Sequence, residues 1–105
     1  MALPNLTEEQ RKAALEKAAE ARKARAAVKQ RLKNGSLSLK EILQMAQDPT
    51  VAKMRVSAVL ESLPGVGKVR ARKLMEEVDI SITRRVKGLG EKQKVALLAR
   101  FDEQQ

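Results

Sequence analysis

The chain has 105 residues and a formal net charge of +9, because 22 lysines and arginines outnumber 13 acidic residues. It contains no cysteine and no histidine, which excludes zinc fingers, thiol chemistry and histidine-based acid–base catalysis. Phe101 is its only aromatic residue, so the chain lacks a platform for stacking the bases of a single strand. The positive charge predicts a polyanionic partner, nucleic acid before an anionic membrane.

Other site classes are also disfavoured. The acidic residues are scattered among cations, so we expect no metal site and no cofactor. No apolar run approaches the length of a membrane span, and the N-terminus lacks the apolar core of a signal peptide. We therefore expect a soluble cytoplasmic protein that does not contact a membrane.

The first predicted element is a long helix. Thr7 and Gln10 have the spacing of a capping box, and Asn34-Gly35 is a typical helix stop. The helix is rich in alanine and has little apolar surface to bury. Its candidate buried residues are Ala14, Ala18, Ala21, Val28 and Leu32.

The second half of this helix carries cations and no acid. At 100° per residue, four of these cations fall within roughly a third of the circumference of the helix. The four are Arg22, Arg25, Lys29 and Lys33. We predict a second nucleic-acid surface here. The alternatives are a solvated helix held by i,i+4 pairs, for which acidic partners are scarce, and a membrane-surface helix, for which an alanine face is too weakly apolar.

Four shorter helices are predicted next, opened by a second capping box at Ser38 and Glu41 and by the Asp48-Pro49 pair. Their predicted ranges are 39–46, 49–62, 68–78 and 91–101. No segment has the alternation of a strand. The predicted fold is all-α, with a long basic N-terminal helix in residues 1–36 and one globular unit in residues 37–105.

Apolar spacing predicts the core. On the fourth helix Ala71, Leu74, Met75 and Val78 form one stripe, which leaves Lys68 on another face. The other predicted core residues are Leu39, Ile42, Leu43, Val51, Met54, Val56, Ala58, Val59, Leu60, Leu63, Ile80, Val86, Leu89, Val95, Leu97, Leu98 and Phe101.

The turn before this helix is the strongest functional signal. Pro64 fixes one φ angle, while Gly65 and Gly67 permit positive φ and allow a partner to approach the backbone. A cation at a helix N-terminus is unfavourable unless an anion binds there, and a phosphate is the natural anion. The cations that favour phosphate binding are Lys68, Arg70, Arg72 and Lys73. The alternative is an ordinary connection in which the glycines only cap helices.

A third basic cluster contains Arg84 and Arg85. Their side chains either cap the preceding helix or bind phosphate. The neighbouring Gly88 and Gly90 are interpreted as connection residues.

The run from Leu60 to Val78, followed by Arg84 to Leu89, resembles the helix-two-turns-helix module of a small-subunit ribosomal protein and of formamidopyrimidine-DNA glycosylases. With its long first helix, the whole chain is similar to the actinobacterial integration host factor family of nucleoid-associated proteins. This resemblance implies binding of duplex DNA with little sequence preference, bending, and effects on supercoiling and compaction. By position, it implies phosphate contacts at Pro64, Gly65, Val66, Gly67, Lys68 and Arg70 or Arg72, with Arg84 and Arg85 nearby.

The chain departs from the other relatives. The ribosomal protein normally ends in a long basic tail, whereas this sequence ends in Phe101-Asp-Glu-Gln-Gln. The glycosylases need a catalytic N-terminal proline and a zinc finger, whereas Pro4 is internal and cysteine is absent. The β-arm integration host factor of enteric bacteria is a different family, and its intercalating arms are not implied.

We therefore expect a non-enzymatic protein that binds double-stranded DNA in the nucleoid, as a monomer in solution and in several copies per DNA. The turn and the first helix would bend one duplex or bridge two. One alternative is a structured-RNA binder of the ribosomal type. Another is a protein-binding adaptor, and an enzyme is the weakest, because no nucleophile has a base to activate it.

Overall fold

The computed structural model describes residues 7–103, which form six α-helices and no β-strand. The helices are α1 (Glu8–Lys33), α2 (Leu39–Gln44), α3 (Pro49–Lys53), α4 (Val56–Ser62), α5 (Lys68–Glu77) and α6 (Glu91–Glu103), with a 3-10 turn at Val86–Gly88. The all-α prediction is confirmed. Residues 1–6, including Pro4, and residues 104–105 of the predicted units lie outside the described range, and the division at residue 36 stays a prediction.

Both predicted capping boxes are present. The Gln10 N–H donates to Thr7 Oγ1 at 3.1 Å, and the Thr7 N–H donates to Gln10 Oε1 at 3.0 Å. The Glu41 N–H donates to Ser38 Oγ at 3.1 Å, and the Ser38 N–H donates to Glu41 Oε1 at 3.0 Å. Each box satisfies backbone donors that a helix start otherwise leaves unpaired.

The predicted third helix is wrong in one respect, because it is two helices. Met54 and Arg55 are extended, and Arg55 pairs with Arg85 in an isolated antiparallel bridge. The Val56 N–H donates to the Arg84 carbonyl at 3.0 Å, and the Val86 N–H donates to the Met54 carbonyl at 2.9 Å. These tertiary hydrogen bonds replace the helical ones that a continuous helix would have made. Five short helices therefore follow α1, where four were predicted.

One apolar cluster joins the short helices and the C-terminal half of α1. Its members include Leu32, Ile42, Val51, Met54, Val56, Val59, Leu60, Ala71, Leu74, Met75, Val86, Leu97 and Phe101. Most predicted core residues are confirmed, but Val95 is 65% exposed, because α6 buries Leu97 and Phe101 instead. Val78, Leu98 and Ala58 are only partly buried, whereas Leu37 and Val66 belong to the core without having been predicted.

The N-terminal half of α1 extends away from the cluster. Residues 8–18 are exposed, so Ala14 and Ala18 bury nothing, and Ala21 is exposed as well. Val28 and Leu32 pack farther along, where α1 contacts α3 and α4. The described part measures 53 × 33 × 24 Å. None of its helices combines the length and apolarity needed to cross a membrane.

Removing the Ser38 hydroxyl should destabilise the whole fold, whereas removing the Thr7 hydroxyl should not. Ser38 caps α2, which buries Leu39, Ile42 and Leu43, so Ser38→Ala should lower the free energy of unfolding by about 1 kcal/mol. Thr7 caps the extended start of α1, so Thr7→Ala should change it by less than about 0.5 kcal/mol while reducing far-UV helicity. Urea unfolding and circular dichroism measure both, and equal destabilisation would contradict the assignment.

The Ser38 cap should also contribute to acid sensitivity. The pKa of Glu41 lies below its ordinary value of 4.5, because the Ser38 backbone N–H and then its hydroxyl bind the carboxylate, with the Arg31 charge adding to the effect. The ionised form therefore stabilises the fold, fully above the ordinary pKa and decreasingly as the pH falls through the lower folded pKa. Glu41→Gln should lose less stability than wild type between about pH 5 and about pH 3. Parallel losses in urea titrations at each pH would refute this.

Candidate nucleic-acid interface

The turn between α4 and α5 is held to the core by one buried side chain, and its other residues are exposed to solvent. The Val66 side chain is only 6% exposed, and its N–H donates to the Leu63 carbonyl at 3.2 Å. Pro64, Gly65 and Gly67 are exposed around it. Any contact of Val66 with a partner is therefore limited to its remaining backbone atoms, since its side chain belongs to the core.

The two glycines of the turn serve different purposes. Gly65 uses the positive φ that glycine permits, with a φ of +75°, whereas Gly67 has a φ of −92° and does not use it. A Cβ added at Gly67 would meet no protein atom within 4 Å. Neither backbone conformation nor packing inside the protein requires glycine there. The missing side chain instead leaves the start of α5 open to a partner.

The start of α5 presents hydrogen-bond donors. Gly67 is the N-cap and provides no side-chain cap. The N–H groups of Gly67, Lys68 and Val69 have no acceptor among the described residues. These groups and the positive end of the helix dipole form an arrangement that favours an anion.

Three exposed cations surround these donors. Lys68, Arg72 and Lys73 line an open groove of about 430 Å³ together with Val69 and Glu76. Val69 is 85% exposed, so this face of α5 is free of the core that the opposite face buries. Arg70 differs, because it is half-buried and its Nη1 lies 3.5 Å from the Gly65 carbonyl oxygen, at the limit of a hydrogen bond.

A second set of cations meets where α1 crosses the Arg55–Arg85 bridge. Their side chains line a cleft of about 280 Å³, the Arg55–Arg85 cleft. Its lining residues are Arg25, Lys29, Lys53, Met54, Arg55, Ala58 and Arg85. The structure thus joins predicted residues of the first and third basic clusters. Arg22 and Lys33, the other two members of the α1 stripe, are exposed outside the cleft.

Sequence reasoning missed Lys53 and Arg55. A continuous third helix would have carried them as ordinary surface cations, and no local pattern marks the break at Met54. The signal lies in a pairing with Arg85, which is distant in sequence. Only tertiary contact brings these residues to α1.

Arg84 and Arg85 have different surroundings. Arg84 Nη1 donates to the Gly88 carbonyl at 3.1 Å, so its side chain caps the following 3-10 turn and not the preceding helix. A Cβ at Gly88 would lie 2.9 Å from Arg84 Cδ, so Gly88 also accommodates this side chain. Arg85 Nη1 donates to the Lys53 carbonyl at 3.0 Å. A phosphate-binding role for either arginine stays a prediction.

The two basic sites lie at opposite ends of α4. Arg55 precedes its first residue and Leu63 follows its last, and a helix of seven residues rises about 10 Å. Within the described range, no group of acidic residues is arranged to hold a metal ion.

Residues 32–101 match the S13-like H2TH domain family. The chain is 58% identical over 104 residues to Integration host factor of Mycolicibacterium smegmatis, which covers 98% of this chain and 99% of that protein. It is 57% identical over 102 residues to Integration host factor of Mycobacterium tuberculosis, covering 96% and 97% respectively. The solved structure of sIHF bound to an 8bp palindromic DNA superposes with a TM-score of 0.78 at 54% identity, covering 82% of this chain and 98% of that chain.

Alanine should separate the roles of the two turn glycines. Gly65→Ala places a side chain at positive φ and should lower the free energy of unfolding by about 1 to 2 kcal/mol. Gly67→Ala meets open space and should cost less than about 1 kcal/mol, as a poorer N-cap residue. Urea unfolding measures both values. If Gly67→Ala were the more damaging change, the described turn geometry would be incorrect.

Proposed function

Because the chain belongs to the actinobacterial integration host factor family and contains its S13-like H2TH domain, we propose that it binds double-stranded DNA as a non-enzymatic protein of the nucleoid. The observation that most directly supports this proposal is the exposed start of α5, where N–H groups without an acceptor in the described chain lie among exposed cations. A relative at 54% identity has been solved with DNA bound, which supports the same partner here.

In this proposal the turn is a phosphate clamp that lies across a minor groove. The N–H groups of Gly67, Lys68 and Val69 bind phosphate oxygens, because nothing within the described chain competes for them. Gly67 has no side chain to obstruct the approach. Lys68, Arg72 and Lys73 supply the surrounding positive charge, with Pro64, Gly65 and Arg70 at the edge of the contact.

The α1 stripe is the second DNA surface. Arg22, Arg25, Lys29 and Lys33 follow one side of the helix, and Arg85 joins them at the Arg55–Arg85 cleft. Along α4, about 10 Å separates the Arg55–Arg85 cleft from the turn, and one chain carries both surfaces. One chain can then bend a single duplex against its two surfaces or bridge two duplexes, and several chains along DNA would alter its supercoiling and compaction.

Such contacts carry little sequence information. Backbone amides and lysine or arginine on phosphates fix position without reading bases. Specificity is then left to DNA shape and deformability. The second candidate is binding of structured RNA, which is favoured by the S13-like character of the matching domain and would follow from the ribosomal relatives of the module.

Charge reversal at Lys68 should abolish the main DNA contact. With a labelled duplex, Lys68→Glu should weaken binding by about tenfold or more, because it places a like charge beside the phosphate site. Lys92→Glu, an equal charge change on α6, should retain most of the affinity. If about six to eight phosphates are contacted, log K should fall against log salt with a slope near −5 to −7.

Competition with scrambled duplex, single-stranded DNA and folded RNA tests the partner. Equal competition by any duplex supports the proposal, whereas preference for folded RNA favours the second candidate. Normal DNA binding by Lys68→Glu would show that the turn is not the phosphate clamp.

A combined Arg22→Glu and Lys33→Glu variant should flatten the salt dependence of DNA binding and reduce bending or bridging. Energy transfer between the ends of one duplex measures bending, and energy transfer between two duplexes measures bridging.

A further inference from the structure

The Arg55–Arg85 cleft contains like charges that a backbone bridge brings close together. In the bridge, the flanking residues make the hydrogen bonds, Val56 N–H to the Arg84 carbonyl and Val86 N–H to the Met54 carbonyl. Arg55 and Arg85 are therefore a non-hydrogen-bonded antiparallel pair, whose Cα atoms lie about 4.5 Å apart in regular geometry. Like charges placed directly opposite in this way are destabilising.

The charge of the cleft has no carboxylate beside it in the lining. The cleft lining contains five cations and no carboxylate. The two described ion pairs, Lys94 with Glu91 and Arg100 with Glu77, lie elsewhere. One arm of the Arg85 guanidinium is held by the Lys53 carbonyl, which orients the group and leaves its other N–H donors available. The positive lining and the available donors of the cleft therefore favour an anion.

We propose that this cleft binds the di- or triphosphate group of a small molecule, either a nucleotide or an inorganic anion. A phosphodiester of DNA carries a single negative charge, whereas a terminal phosphate alone carries about −1.5 to −2 and each further phosphate adds to it. Five cations match the larger charge. The cleft, with a volume of about 280 Å³, has room for a small anion between these side chains.

The proposed site goes beyond DNA binding and does not require it. Arg25 and Lys29 belong both to the cleft and to the α1 stripe. If the proposed DNA surface on α1 is correct, an oligophosphate in the cleft would compete with DNA there and leave the turn at the start of α5 unaffected. The ligand-binding step itself can be measured on the protein alone.

The test is an amide NMR titration of the full chain with inorganic triphosphate at constant ionic strength. We expect saturable shifts at residues 25–29, 53–55 and 84–86, with triphosphate binding more tightly than orthophosphate. ADP and ATP distinguish a nucleotide site, which binds them more tightly than diphosphate and triphosphate, from a site for the phosphates alone. Arg55→Gln should weaken triphosphate binding by about tenfold or more, since a charged hydrogen bond is lost, whereas Arg11→Gln on the extended part of α1 should not.

Loss of binding must be separated from loss of folding. Arg55→Gln removes like charge from the bridge and should leave the unliganded thermal midpoint unchanged or raised. If Arg55→Gln lowers the thermal midpoint, the same binding test is made with Lys53→Gln, because Lys53 lies in the cleft but outside the bridging pair. Shifts that never saturate, shifts confined to residues 64–69, or cleft shifts caused by a short duplex but not by triphosphate would each overturn the proposal. Saturable shifts of the cleft residues with triphosphate support the proposal, whether or not the protein binds DNA.

Discussion

The backbone pairing between Arg55 and Arg85 determines how the rest of this small protein is arranged. Two hydrogen bonds join the segment before α4 to the segment before the 3-10 turn. They end α3, set the direction of α4 and so place the turn at the far end of α4. The same pairing brings Arg55 and Arg85 into one cleft with Arg25 and Lys29 of α1. A local loss of helical hydrogen bonds is thus compensated by tertiary ones that organise both basic sites.

The two sites have the same sign of charge and different physical character. At the start of α5 the donors are backbone N–H groups beside an open, exposed groove, which suits a phosphate that belongs to a long polymer. In the Arg55–Arg85 cleft the donors are side chains that converge from α1, the α3–α4 junction and Arg85. Convergent side chains surround a small anion better than a duplex. Net charge alone does not distinguish these arrangements, since both follow from the same excess of lysine and arginine.

Local patterns predicted much of the fold. Both capping boxes, the stop at Asn34-Gly35 and the buried stripe of α5 involve residues within one or two helical turns, so short-range hydrogen bonding and spacing sufficed. Val95 shows the limit of the method. Its apolar character suggested burial, but the orientation of α6 buries Leu97 and leaves Val95 exposed.

The sequence by itself determined the helical class, the positions of most helix ends, the excess of positive charge and the candidate turn around Gly65, because each depends on neighbouring residues or on composition. The tertiary structure alone decided that Met54 breaks a helix, that Gly67 does not need positive φ, and that Lys53 and Arg55 join Arg25 in one cleft. These outcomes depend on hydrogen bonds and packing between segments far apart in the chain, and such contacts leave no periodic signal in either segment.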